Sequence, residues 1–236
     1  MLVVLNACNN DELEALTLQK NTTKTRYLKI KKPIKNKLEH YFDSIGLVKI
    51  TDVNANIKCK LAYADTANFL KINLYNKLKY AYLPIEVAQN LSKAQNYLDS
   101  NYKNYLLIIY DAARPLSIQK IMWDSLKLPN HKKYGYVAPP NYQSLHNYGC
   151  AVDVGLDSNG VELDLGTKFD TFDSLSAPAY EWLFLKSKKL SKIQYFRRQI
   201  LRKAMHYANF YGITSEWWHF NYCTLKQAQA TFTLIK

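Results

Sequence analysis

The 236-residue sequence holds five histidines, His40, His131, His146, His206 and His219. Two of them stand in apolar stretches with an acid close by. His146 belongs to the run SLHNYGCAVD, which begins at Ser144 and ends at Asp153. His219 closes the run Glu216-Trp217-Trp218-His219. Burying a carboxylate or an imidazole without a partner is costly. A mononuclear catalytic zinc site commonly takes three protein ligands from His and carboxylate and leaves one position open. His146, Asp153 and His219 supply that set, and one ion would serve as their common partner. A hydrolytic site also needs a base that takes a proton from the attacking water without occupying the metal. Glu216 has the chemistry for that. Taken singly, each signal has a plainer explanation: a core histidine satisfied by hydrogen bonds, an aspartate capping a turn, two tryptophans that pack. It is the combination S-x-H-x-x-G-x-A-x-D, followed by E-x-x-H, that points to zinc.

The elements around these residues must bring them together. The run AVDVGLD alternates like a strand, with Val152, Val154 and Leu156 on one face and Ala151, Asp153 and Gly155 on the other. Asp157–Gly160 reads as a turn, with VELDL returning as a hairpin partner. Glu216 and His219 are an odd step apart, which on a regular strand puts them on opposite faces. Either the chain bends near Trp217, or Glu216 lies in the loop before the strand. Tyr105–Tyr110 (YLLIIY) is a continuous apolar run and reads as a buried central strand that ends in DAARP. Val87, Leu91, Ala94 and Leu98 recur at helical steps behind Pro84. Ser117 is expected to cap a helix over SIQKIMWDSL. Pro178 to about Phe210 reads as helical with a break near KSKKLSK, and EWWHFNY as a closing aromatic strand. Strands and helices mix without a regular βαβ rhythm, which favours an α+β fold. The expectation is a central, mainly antiparallel sheet flanked by helices, with the zinc site in a cleft on the sheet.

Hydrophobic residues make up 48% of the chain and charged residues 22%, which excludes a disordered protein. The net charge of +13 permits anionic partners. The lysines are scattered, however, and a lysine-rich soluble surface accounts for them without a nucleic-acid partner. The four cysteines, Cys8, Cys59, Cys150 and Cys223, form no C-x-x-C pair, which argues against a zinc ribbon or a thioredoxin-like site. Leu5-Asn6-Ala7-Cys8 resembles a bacterial lipobox, but the basic n-region and long apolar core of a full signal are missing. Residues 1–37 therefore read as an N-terminal leader: a truncated lipoprotein signal with a lysine- and threonine-rich tether, or an ordinary exposed segment. Residues 38–236 read as the catalytic domain. Acylation of Cys8 would tether the protein to a membrane in the periplasm; without it the protein would be cytoplasmic.

The paired motifs resemble the signature of the VanX-type D-alanyl-D-alanine dipeptidases, within the larger family of zinc D-Ala-D-Ala peptidases. Further likenesses point to the dipeptidase branch: YADTANF (Tyr63–Phe69), YDAARP, LDLGTKFDTF (Leu163–Phe172) and RRQILRKAMHYANF. The resemblance runs in order from about Ile57 to the end of the chain. It implies that His146, Asp153 and His219 bind one Zn²⁺ per chain and that Glu216 is the general base and later proton donor. It further implies that Arg114 steadies the developing oxyanion, that Asp170 meets the substrate's free ammonium group, and that Ser144 supports the ligand loop or the substrate. The branch usually carries an aromatic residue where this chain has Ala113, which could widen the pocket. Cys150 replaces a small polar residue or Ala inside the ligand loop.

The reaction so implied is zinc-dependent hydrolysis of the dipeptide D-Ala-D-Ala to two D-alanines, in cell-wall peptide turnover or glycopeptide resistance. The partner is a small dipeptide, with no obligate protein partner. Two alternatives stand beside it. One is a D,D-carboxypeptidase on murein stem peptides, which shares the metal motifs but needs an open groove. The other is a noncatalytic, zinc-stabilised module that binds cell wall, which has no use for Glu216.

Overall fold

Tyr105–Asp111, the most continuously apolar strand of the sequence, lies inside a mixed sheet that carries both halves of the metal motif. The computed structural model describes residues 16–19, 26–29, 36–66 and 68–236. The chain divides into two units, residues 1–35 and 36–236. In the first, β1 (Leu16–Gln19) pairs antiparallel with β2 (Arg26–Lys29). Cys8 and the rest of the leader lie outside the described residues.

The second unit opens with α1 (Lys37–Ser44), where Asn36 and Glu39 form a capping box. Then follow β3 (Val48–Lys49), α2 (Ile50–Val53), β4 (Lys58–Cys59), β5 (Tyr82–Leu83), α3 (Ile85–Asn101) and β6 (Tyr105–Asp111). Next come α4 (Leu116–Ser125), α5 (Asn130–Lys133), β7 (Ala151–Ser158) and β8 (Val161–Glu162). The chain ends with α6 (Glu181–Lys186), α7 (Lys192–Tyr207), β9 (Tyr211–Gly212), β10 (His219–Asn221) and α8 (Leu225–Thr231).

The strand order is β4-β6-β7-β10-β9, with β8 beside β7. The expectation of a mainly antiparallel sheet gives way to a mixed one, because β4 runs parallel to β6. A parallel neighbour requires a crossover rather than a hairpin. Residues 60–104 provide it, and α3 lies within that connection. Val87, Leu91, Ala94 and Leu98 of α3 are fully buried, as their spacing predicts. Each such aliphatic side chain larger than alanine contributes roughly 1.5–3 kcal/mol by leaving water. The β7–β8 hairpin turns on Asn159 and Gly160, both at positive φ, which is the two-residue turn that matches strand twist. Gly155 of β7 leaves room for Tyr110, whose ring and hydroxyl occupy the space a Cβ would take.

Two local expectations need correction. Ser117 does not cap α4; Pro115 stands at the cap and no side chain bonds there. Leu116 N donates to the Ile235 carbonyl at 2.8 Å, which satisfies a first-turn N–H without a hydroxyl. The closing strand is also shorter than expected. The regular strand spans His219–Asn221, extended by hydrogen bonds from Val154 N to Trp218 O and from Tyr222 N to Cys150 O, and Trp217 and Trp218 are buried side chains in the bend before it.

Candidate active site

Asp153 on β7 and His219 on β10 are direct cross-strand partners. Opposed residues of an antiparallel pair emerge on the same face, and His219 Nδ1 lies 3.0 Å from Asp153 Oδ1. His146 arrives from a 3₁₀ turn, Leu145–Tyr148, just before β7. Ser144 caps that turn: its Oγ accepts from His146 N at 3.3 Å, and its own N–H donates to Asn147 Oδ1 at 2.7 Å. Gly149 ends it at φ +62°, and a Cβ there would fall 2.6 Å from Pro84 Cδ. The turn is tied to the DAARP loop, with Arg114 N donating to His146 O and Asn147 Nδ2 to Arg114 O, each at 2.9 Å. The result places His146 Nε2 3.3 Å from His219 Nδ1 and 3.5 Å from Asp153 Oδ1.

The hydrogen bonds assign the tautomers. His146 Nδ1 donates to the Ala112 carbonyl at 2.8 Å, and His219 Nε2 donates to Asn221 Oδ1 at 2.8 Å. The other nitrogen of each ring faces its neighbour beside the Asp153 carboxylate, and it offers a lone pair to a metal once the ring is neutral. Second partners of this kind typically orient metal-binding histidines. Zn–N bonds of 2.0–2.1 Å in a tetrahedron put donor atoms about 3.3 Å apart, close to the 3.0, 3.3 and 3.5 Å found here. The donor set and its spacing fit a zinc ion. Among the described residues, His146, Asp153 and His219 form the group able to hold a metal. His40, His131 and His206 are exposed and stand apart from it.

The local field favours a cation. Burial would raise Asp153, but His146 and His219 outweigh it and hold the carboxyl well below its usual range. Burial likewise opposes charge on His219, yet Asp153 and Glu216 hold its pKa up. Glu216 lies in the irregular segment before β10 and the chain bends at Trp217 and Trp218, so the two placements open from sequence occur together. Burial raises its pKa above the ordinary value, while His219, His146 and Arg114 pull it down and Asp153 pushes it up. A carboxyl raised in this way suits a group that must accept and then return a proton near neutral pH. A cavity of about 420 Å³ opens at Glu216 and Trp218, with Tyr136, Phe172 and Tyr180 on its walls. A larger cavity, about 780 Å³, reaches Asn221 and Cys223, and neither cavity is lined by His146, Asp153 or His219.

Arg114 is buried, and its Nε and Nη2 bind Asp111 Oδ2. Nη2 also lies 3.8 Å from Asp153 Oδ2, and the guanidinium sits 5.6 Å from the centre of the Tyr63 ring. Burial works against its charge, but Asp111 foremost keeps it on. Asp170 accepts from Phe69 N at 3.2 Å and from the Tyr63 hydroxyl at 3.3 Å. Burial pushes its pKa up to about 7 against those donors. His146, Asp153, His219 and Arg114 are thus brought into contact. Glu216 and Asp170 feel the charges of Asp153 and Arg114, and Ser144 stands behind the turn as its cap.

Three residues without an assigned role from sequence complete the arrangement. Asp111, fully buried, takes Arg114, the Tyr75 hydroxyl and the Ala112 N–H. Its signal was present as an acid three residues before Arg114. Asn221 shares a strand face with His219 by its two-residue step, a signal that was also legible. Tyr63, in the 3₁₀ turn Ala62–Ala64, joins Asp170 to Arg114, a contact that nothing in the local pattern places.

Comparison with known proteins agrees with this geometry. A D-alanyl-D-alanine dipeptidase of Escherichia coli (strain K12) is 28% identical over 182 residues, spanning 75% of this chain and 85% of that protein. A D-alanyl-D-alanine dipeptidase of Synechocystis sp. is 26% identical over 164 residues, 57% of this chain and 66% of that protein. The model of peptidase family M15, D-Ala-D-Ala dipeptidase, matches residues 43–235. The chain therefore belongs to the D-Ala-D-Ala dipeptidase family of M15 peptidases.

Proposed function

We propose that this protein hydrolyses D-Ala-D-Ala to two D-alanines at a single zinc ion held by His146, Asp153 and His219. The observation that carries the reading is the convergence of two ring nitrogens and a carboxylate oxygen, with each ring's other nitrogen committed to Ala112 or Asn221. Bound zinc supplies Lewis-acid polarisation of the scissile carbonyl and lowers the pKa of water. Glu216 then takes the proton from the attacking water and returns it to the leaving amine. Asp111 holds Arg114 through Nε and Nη2, and the remaining N–H groups of the guanidinium serve the developing oxyanion, where a fixed cation is worth most. Asp170 meets the free ammonium of the dipeptide. The cavity at Glu216 and Trp218 supports a substrate path to that base.

An ammonium clamp at Asp170 favours a free dipeptide over the blocked end of a stem peptide. Glu216 beside the cluster favours an enzyme over a zinc-stabilised binding module. Glu216→Ala tests the assignment: zinc content should stay at one ion per chain while turnover of D-Ala-D-Ala falls by about 10²–10⁴-fold. Unchanged turnover with zinc retained would remove Glu216 from the mechanism.

A further inference from the structure

The helical pair α6–α7 presents an outer face that the dipeptidase reading does not use. α6 buries its acid, Glu181, and exposes its indole. Glu181 is paired with Arg198 and Arg202 of α7, which fixes the two helices together. Exposed on the two helices are Trp182 (62%), Leu183 (43%), Ile193 (50%) and Phe196 (53%). Between them runs KSKKLSK, where Lys186, Lys188, Lys189 and Lys192 are exposed. Among the described residues none of these four lysines has a salt-bridge partner. From Trp182 to Ser215 the sequence holds eight Lys or Arg and no Asp or Glu. The acids that reach these helices from elsewhere on the chain include Asp164, which accepts a hydrogen bond from Gln194.

Large exposed apolar side chains interleaved with unpaired lysines match two layers of one partner. Anionic headgroups take the ammonium groups, and the boundary beneath them takes indole, phenyl and aliphatic side chains. A nucleic acid would satisfy the lysines and leave Leu183 and Ile193 in water. Among the described residues no helix is long and apolar enough to cross a membrane, so the contact is with the surface. We propose that the α6–α7 face, through Trp182, Leu183, Ile193, Phe196 and the lysines between them, docks the protein on an anionic lipid bilayer. This is independent of the fate of Cys8 and of the active site.

The test is co-sedimentation of the full chain with vesicles, using Cys8→Ser throughout so that no acyl chain contributes. Vesicles of phosphatidylglycerol in phosphatidylcholine should bind the protein, and phosphatidylcholine alone should bind it much more weakly. Neutralising Lys186, Lys188 and Lys189 to Gln should weaken binding on the order of five-fold per lysine. Trp182→Ser with Phe196→Ser should weaken vesicle binding at least about ten-fold and leave binding to duplex DNA unchanged. All variants should keep dipeptidase activity, which confirms that they fold. Equal binding to both vesicle types, or vesicle binding insensitive to the lysine variant, overturns the proposal. So does an insensitive Trp182→Ser/Phe196→Ser variant, which would mark a general polyanion surface. A lipid-free dimer in sedimentation velocity that the same double variant dissociates would assign the face to a second copy of the chain.

Discussion

His146 and His219 each commit one nitrogen to an oxygen of the protein, and the remaining nitrogens meet at Asp153. Residue-level chemistry here is set by such second partners as much as by the ligands themselves. Asp170 shows the cost of that chemistry. It sits at φ +65°, a left-handed conformation that Asn adopts more readily than most residues, and burial raises its pKa to about 7. A carboxyl raised in the folded state binds more protons there than in the unfolded chain between pH 4 and 7. Its ionisation therefore withdraws stability as pH climbs through that window. Asp170→Asn should accordingly raise stability by about 1–2 kcal/mol at pH 8, with little gain at pH 4, while the KM for D-Ala-D-Ala rises sharply. Thermal melts at the two pH values, read beside steady-state kinetics, check both halves. Equal melting shifts at pH 4 and pH 8 would show that the carboxyl's ionisation is not the cause.

At the scale of elements, the site depends on a turn and two strands holding register. Gly149 is the tightest point, with positive φ and Pro84 against the place of a Cβ. Gly149→Ala should cost about 2 kcal/mol or more and weaken zinc binding, because the strained turn carries His146; denaturant unfolding and metal titration read the two effects. Much of this scale was legible in sequence. Alternation placed Asp153 on the minor face of β7, and helical spacing named the buried residues of α3. Other parts were not. The step from Glu216 to His219 left two backbone paths, a bend near Trp217 or a loop at Glu216, and the folded chain combines them. β4 is two residues long, too short for any periodicity, so its parallel pairing with β6 left no trace in the pattern. Tyr63 meets Asp170 across 107 positions of sequence, a contact set by packing of loops.

At the scale of the molecule, a mixed sheet positions Asp153, His219 and, through the preceding turn, His146, while α6 and α7, between Asp153 and His219 in sequence, carry exposed basic and apolar side chains. The net charge of +13, uninformative as a total, becomes specific once four exposed lysines are seen between Trp182 and Phe196. The central claim is a zinc-dependent dipeptidase that requires a free amine. The most direct measurement compares hydrolysis of D-Ala-D-Ala and N-acetyl-D-Ala-D-Ala by the same protein after chelation and after reloading with zinc. The account predicts that reloading restores cleavage of the free dipeptide and that the acetylated one is cleaved far more slowly. Equal cleavage of both substrates, or full activity after verified removal of the metal, would contradict it.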